Sequence, residues 1–429
     1  MLAAAQATAT RPAAPAAGQS TTEKFTVAGV PVILRRNAAN DVVAAHLYLL
    51  GGARQVTAEN AGIEPLLLQA SEAGTRRYSK DALRQTMANL GSEIAVGADE
   101  DWSVFGLSTL REAFDSTWAV FADRLMQPAL DSAEVERVRE QFLSGVRQRR
   151  DSPDALVNWL ADSLTWSGHP YATPVVGTQA SLSRLTVADL RRYLAEQMVT
   201  SRMLLVIVGN VERSRVERLV TATLGRLPAG SYRWTLPEPP PPRPPAAVAE
   251  SRPLPTNYIL GYYPGPAASN PDYAALRVAT AVLSGRLFNE IRARRNLTYA
   301  VNAPFVDRAL SAGGLYVTTA YPDTTLALMR REVENIKRGT IEPEALEQLV
   351  QQFITEFFLD NETNAAQAHF LARAELYRGD YRLAERFVDE LRGVTPQDVR
   401  RVAQTYMKGM RFAYVGDPAK ANLRRLEAW

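Results

Sequence analysis

Two stretches of this chain repeat one another at a fixed distance, and that repeat restricts the fold more than any other feature. Thr186-Val187-Ala188-Asp189-Leu190-Arg191-Arg192 and Thr395-Pro396-Gln397-Asp398-Val399-Arg400-Arg401 each read as a helix start. A Thr caps the free backbone N–H groups, and an Asp three residues on suits the helix dipole. Each is followed by a Met and then by an apolar strand ending in glycine, Leu204 to Gly209 and Phe412 to Gly416. The two Thr lie 209 positions apart and the two Gly 207. Landmarks held at nearly one offset imply an internal duplication. Between the copies runs Pro237-Glu238-Pro239-Pro240-Pro241-Pro242-Arg243-Pro244-Pro245. Consecutive prolines lack N–H donors and keep the backbone extended, so this run separates domains rather than joining a core. The expected division is 23–236, a linker at 237–255, and 256–429.

Within each half, strand and helix patterns alternate irregularly. Val42–Leu50 reads as a strand, Ile63–Ala73 as a buried helix, and Asp115–Gln127 and Ser132–Gln148 as amphipathic helices. The expected class is α+β: two duplicated halves, each a mainly antiparallel sheet covered by helices. The balance of 46% hydrophobic and 22% charged residues suits a globular protein. A net charge of +3 without a Lys/Arg block argues against nucleic-acid binding. No apolar run approaches the roughly eighteen residues of a membrane span. The absence of Cys removes disulfides, thiolate metal sites and a cysteine nucleophile.

Residues 1–22, rich in Ala, Thr, Pro and Gln, read as a disordered leader. Leu2-Ala3-Ala4-Ala5-Gln6-Ala7 also resembles the start of an exported mature chain. On that basis a periplasmic location is expected, while a cytoplasmic one stays open.

The segment Asn60-Ala61-Gly62-Ile63-Glu64-Pro65-Leu66-Leu67-Leu68-Gln69, with Gly52-Ala53-Arg54 before it and Gly74-Thr75 after it, resembles a known frame. So do Gly168-His169-Pro170-Tyr171, Val176-Gly177-Thr178, Val208-Gly209-Asn210-Val211, and Gly285-Arg286-Leu287-Phe288-Asn289-Glu290-Ile291-Arg292 through Leu297-Thr298-Tyr299. Their order is similar to that of the insulinase/pitrilysin family of zinc peptidases, which includes the mitochondrial processing peptidase. The resemblance covers residues 23–429. It implies a chain that forms one side of a clamshell.

In that family H-x-x-E-H puts two zinc-binding His on one helix face, with a Glu general base between them. Those positions here are Pro65, Leu68 and Gln69. Proline has no donor atom, leucine cannot accept a proton, and a lone Gln carbonyl is a poor zinc ligand. The family's third ligand, a Glu shortly before an Asp-x-Pro turn, falls near Gly145, before Asp151-Ser152-Pro153; Glu140 is close by. The chain is therefore expected to hold no metal. Its three His are dispersed: His46 reads as a packed, hydrogen-bonded residue, His169 as structural, and His369 has no assigned role.

By itself, the Arg-rich segment 290–295 reads as a solvated helix end, and a Tyr opening a strand reads as core. The resemblance gives Arg292 and Tyr299 another role. At this spacing, a family Arg and Tyr reach across to the zinc centre of the opposite half. The Arg holds substrate carbonyl or carboxylate groups, and the Tyr hydroxyl donates to the developing oxyanion. Arg294 and Arg295 are the nearest competitors. Two departures accompany the match: Thr298 replaces a smaller family residue, and the Gly/Ser stretch before Arg286 is reduced to Ser284-Gly285. The strand near 43–50 is expected at a sheet edge, either vestigial or guiding peptide.

These features imply a subunit inactive alone. It contributes to metalloendopeptidase activity on peptides or unfolded polypeptides in a heterodimer with a homologous H-x-x-E-H-bearing subunit, which supplies the zinc. The alternative is a non-enzymatic scaffold or peptide-binding subunit. A hydrolase with new chemistry lacks support, since there is no G-x-S-x-G elbow.

Overall fold

The computed structural model describes residues 21–339 and 341–429. The expected leader lies outside them apart from Thr21 and Thr22, which open the first strand. The strands of the first half are β1 (Thr21–Val27), β2 (Val30–Arg36), β3 (Val42–Leu50), β4 (Glu93–Ala98), β5 (Trp102–Leu110) and β6 (Met203–Gly209). Its helices are α1 (Ile63–Ala70), α2 (Lys80–Leu90), α3 (Phe114–Met126), α4 (Ser132–Asp151), α5 (Pro153–Thr165), α6 (Gln179–Arg184), α7 (Val187–Gln197) and α8 (Arg213–Ala222). In the second half, β7 (Ala246–Ser251), β8 (Asn257–Ala267), β9 (Thr298–Asn302), β10 (Phe305–Val306), β11 (Leu310–Thr319) and β12 (Arg411–Gly416) form the sheet. Its helices are α9 (Asp272–Leu287), α10 (Pro322–Arg338), α11 (Pro343–Asp360), α12 (Asn364–Arg378), α13 (Leu383–Arg392) and α14 (Pro396–Tyr406).

The duplication is visible in the strand order. The first sheet runs β1-β2-β6-β3-β5-β4, and the second runs β7-β12-β8-β11, with β9 and β10 both on the outer side of β11. Dropping β1, the two orders coincide. So does the single parallel pair in each, β2 with β6 and β7 with β12. The helices α7 and α14 carry the same cap: Thr186 and Thr395 each accept from the backbone of Asp189 and Asp398, and each Asp returns a contact. Together they satisfy reciprocal orphan groups at the helix start.

Sheet faces alternate as the period of two requires. Along β6, Met203, Leu205 and Ile207 join the core under α1, α2, α3 and α8, while Leu204, Val206 and Val208 point to the opposite core. That opposite face is covered by α12, a helix of the second half. The exchange is mutual. Leu156, Val157 and Ala161 of α5, from the first half, pack on Leu260, Tyr262, Ala413 and Val415 of the second sheet.

Two expectations change here. The strand at 43–50 is not an edge: β3 lies between β6 and β5, hydrogen-bonded to both. Its near-continuous apolar sequence is that of a strand buried on both faces, and the edges are β1 and β4. The stretch expected as linker, 237–255, contains β7, a short Ala-rich strand at the sheet edge. The preceding chain is fastened to the body as well. The indole of Trp234 donates to Leu376 O at 2.8 Å, and His169 Nε2 donates to Glu238 O at 3.0 Å.

Candidate functional site

The Asn-Ala-Gly entry to α1 serves close backbone packing. Gly62 has φ +89°, and a Cβ there would lie 2.8 Å from Val176 O; Gly177 has φ +82°, and its Cβ would lie 2.5 Å from Ala61 O. The two motif segments thus touch main chain to main chain, which only glycine permits in this conformation. Glu64, the first acidic residue of α1, is buried and accepts from Tyr193 Oη at 2.8 Å and Arg202 Nη2 at 2.9 Å. This pins the helix start to α7 and to the turn before β6 through Oε2, while the buried Oε1 has no partner.

Pro65 sits in the first turn of α1, where its missing N–H costs nothing. Leu68 is buried in the first-half core. Gln69 Nε2 donates to Glu72 Oε2 at 2.6 Å. At the third-ligand position Gly145 offers no side chain, and the nearby Glu140 pairs with Arg147 at 3.6 Å on the exposed face of α4. These residues do not fit a zinc ion: one imino-acid ring, one alkyl chain and one amide supply no ligand set. Among the described residues no group of three or more His, Cys, Asp or Glu is placed so that it could hold a metal ion.

The histidines are accounted for by packing. His169 Nδ1 accepts from Tyr171 N at 3.1 Å, and its ring lies 5.2 Å from Trp166. His46 faces Gly106 across the β3–β5 pair. Burial, with His369 adding to it, lowers its pKa to about 4. The expected hydrogen bonding of His46 is not found among the described residues, and its buried Nδ1 has no partner. His369 lies under Tyr48, with Oη 3.4 Å from Nδ1.

Arg292 and Tyr299 come together in the second half. Helix α9 runs into a π-helical turn, Phe288–Ala293, and Asn296 adopts a left-handed φ of +50°. Arg292 O and Ile291 O accept from Asn296 N and Leu297 N, both at 3.0 Å, which closes the helix and starts β9. Thr298, the departure from the family pattern, is buried; its hydroxyl donates to Thr318 O and so ties β9 to β11. Beyond it, three steps along β9 (Val301 to Thr298) oppose two along β11 (Val317 to Thr319). This bulge re-aims Tyr299, which is 84% exposed.

The Arg292 guanidinium lies 5.3 Å from the ring centre of Tyr299 and 5.3 Å from that of Phe288. No side-chain hydrogen bond or ion pair of Arg292 is formed among the described residues. Its competitors are committed elsewhere: Arg294 and Arg295 both pair with Glu290, at 3.0 and 2.7 Å. A shallow pocket of about 340 Å³ includes Arg292, Asn296, Tyr299 and the exposed Tyr321. The site therefore presents one cation without a polar partner among the described residues, and two phenols, Tyr299 and Tyr321, to an outside molecule. Tyr321 and Phe288 were missed by sequence reasoning, although Phe288 lies inside the quoted motif. Segment 288–299 and the α1 positions lie in different halves and share no hydrogen bond or ion pair among the described residues.

A second polar cluster, also unforeseen, joins the halves. Asp101 accepts from Tyr171 Oη at 2.7 Å and from Tyr377 Oη at 2.9 Å, and Arg54 lies 3.1 Å away. Beside it, Arg308 contacts Glu100 and Asp162, both at 3.0 Å. Burial, reinforced by the adjacent Asp99 and opposed by Arg308, pushes the Glu100 carboxyl up to about 9. With Asp99, Glu100 and Asp162 crowded around one guanidinium, a proton on Glu100 relieves the excess negative charge.

Known proteins bear on both halves. Residues 31–179 match the family described as Insulinase (Peptidase family M16), and residues 184–353 match Peptidase M16 inactive domain. A probable mitochondrial-processing peptidase subunit beta of Schizosaccharomyces pombe is 24% identical over 372 residues, covering 82% of this chain and 81% of its own length. Human cytochrome b-c1 complex subunit 1 is 24% identical over 235 residues, covering 54% of this chain and 49% of its own. A crystal structure of a peptidase M16 inactive domain from Pseudomonas fluorescens superposes with a TM-score of 0.84 at 20% identity, covering 92% of this chain and 98% of that one.

Proposed function

The chain belongs to the insulinase (M16) family of peptidases, and from that premise we propose that it is the metal-free subunit of a two-chain peptidase. The observation that carries this reading is the outward display of Arg292 and Tyr299. A bulge and a π-turn hold the two side chains against each other, with no side-chain hydrogen bond or ion pair among the described residues. Meanwhile Pro65, Leu68, Gln69 and Gly145 leave α1 and α4 without ligands. The zinc and the general base belong to a homologous partner bearing H-x-x-E-H. Arg292 grips a carbonyl or carboxylate of the peptide by a charge-assisted contact. The Tyr299 hydroxyl donates to the carbonyl oxygen as negative charge develops on it. The resemblance to a protein named as a subunit of a processing peptidase supports the pairing.

The test is reconstitution. This chain alone should not cleave unfolded peptides, and mixing it with an H-x-x-E-H homologue should produce activity that neither shows alone. Cleavage by the isolated chain, or a partner fully active without it, defeats the reading. The likeness to a cytochrome b-c1 complex subunit favours a second one, a scaffold without catalysis. Under that reading the pair assembles, and replacing Tyr299 leaves turnover unchanged.

A further inference from the structure

The second half encloses a cavity of about 270 Å³ among α9, α11, α12 and α13, lined by neither Arg292 nor Tyr299. Helices α9 and α11 are the duplicates of α1 and α4, so it opens between the same helix pair that carries Pro65, Gln69 and Gly145 in the first half. Its walls are aromatic: Phe370 lies 4.8 Å from Phe357 and 6.0 Å from Phe387, centre to centre.

Arg277 and Arg373 both pair with one carboxylate, Asp307, the former at 3.1 Å. Asp307 is further satisfied by the hydroxyl of Tyr273. Burial alone would raise the Asp307 carboxyl, but the two guanidiniums outweigh it and hold it below the usual range. His369, also lining the cavity, is neutral near pH 7, because burial and Arg373 lower its pKa to about 4. At contact distance two cations share one anion, and the carboxylate of Asp99 acts on Arg373 only through its field. Each guanidinium has five N–H donors. Among the described residues, neither has a side-chain hydrogen-bond or ion-pair partner other than Asp307. The Arg277 and Arg373 side chains are 32% and 22% exposed, so their remaining donors are open to a molecule in the cavity. At the mouth, the exposed carboxylates of Glu356 and Asp360 oppose a second negative charge.

We propose that this cavity binds a small monocarboxylate with an aromatic or branched apolar body. The carboxylate meets Arg277 and Arg373, and the body lies among the phenylalanines. A planar carboxylate matches the guanidinium fork, and the walls favour apolar bulk over water. This site is independent of the proposed peptidase role.

The probe is 3-phenylpropionate, titrated calorimetrically into the full chain, with 3-phenylpropylammonium as the charge-reversed control. Saturable binding of the acid and none of the amine is expected. Arg277→Gln should weaken the acid about tenfold, the loss typical of one charged hydrogen bond. Ala366→Phe, which fills the cavity from α12 without altering charge, should abolish binding while the melting curve stays cooperative. No saturable binding of the acid, equal binding of the amine, or unchanged affinity in either folded variant overturns the proposal. If a variant fails to fold, the acid–amine comparison on the unaltered chain still decides.

Discussion

The guanidinium of Arg292 rests 5.3 Å from the ring centre of Tyr299, and the Tyr299 side chain stands 84% exposed on a bulge. A contact so placed contributes little to folding and much to recognition. With the zinc-bearing partner present, Tyr299→Phe should lower turnover by about 10²–10³, the range for one oxyanion donor. The melting temperature should not move. Arg292→Lys should raise KM more than it lowers kcat, because an ammonium keeps the charge but loses the planar fork. Steady-state kinetics on a quenched peptide checks both.

Glu100 makes stability depend on pH in an unusual direction. Its folded pKa of about 9 exceeds the 4.5 of a free carboxyl, so the folded protein holds a proton that the unfolded chain releases. This contribution is complete below pH 4.5 and fades as pH climbs toward 9. Glu100→Gln removes it. Urea unfolding at pH 5.5 and 8.5 should show the native protein losing ground to the variant at the higher pH; a constant difference would contradict the assignment.

The exchange of α5 and α12 predicts one unfolding transition for both halves. Leu371, wholly buried on α12, belongs to the core that α12 shares with the first sheet. Leu371→Ala should destabilise the chain by about 2–5 kcal/mol. Far-UV circular dichroism and the fluorescence of Trp102, which stacks on Tyr377 at 4.8 Å, should report one midpoint. Separate midpoints would mean that the halves fold independently.

The lack of zinc-ligating side chains at Pro65, Leu68 and Gly145 predicts indifference to chelators. EDTA should leave the melting curve of this chain unchanged while abolishing activity of the two-chain mixture. A fall in melting temperature of the chain alone would reveal a metal-dependent fold.

Much of the architecture was readable because it was local or repeated. The capping residues Thr186 and Thr395, and the glycines at 209 and 416, are signals within a few residues, and duplication stated them twice. The site was harder. Arg292 was separable from Arg294 and Arg295 only through resemblance, whereas in the fold it is the one that Glu290 leaves alone. The exposure of Tyr299 depends on the register of β9 against β11, set by residues twenty positions away and invisible to any periodicity. The misplacement of β3 at an edge had a different origin. Apolar residues on both faces of 42–50 already indicated a central strand, and the resemblance to peptide-binding relatives outweighed them. The unpaired Nδ1 of His46 was likewise beyond sequence, because it follows from what the neighbouring strands and α12 do not offer.

The mutual covering of sheets by α5 and α12 has a mechanical consequence. Drawing one sheet away from the other would bare Leu204, Val206 and Val208 on one side, or Leu260 and Val415 on the other. Separating the sheets would cost the burial of both apolar faces. In the proposed two-chain arrangement, a gap that admits a peptide would then open between the chains rather than within this one, and the strength of that junction would govern how often the door swings.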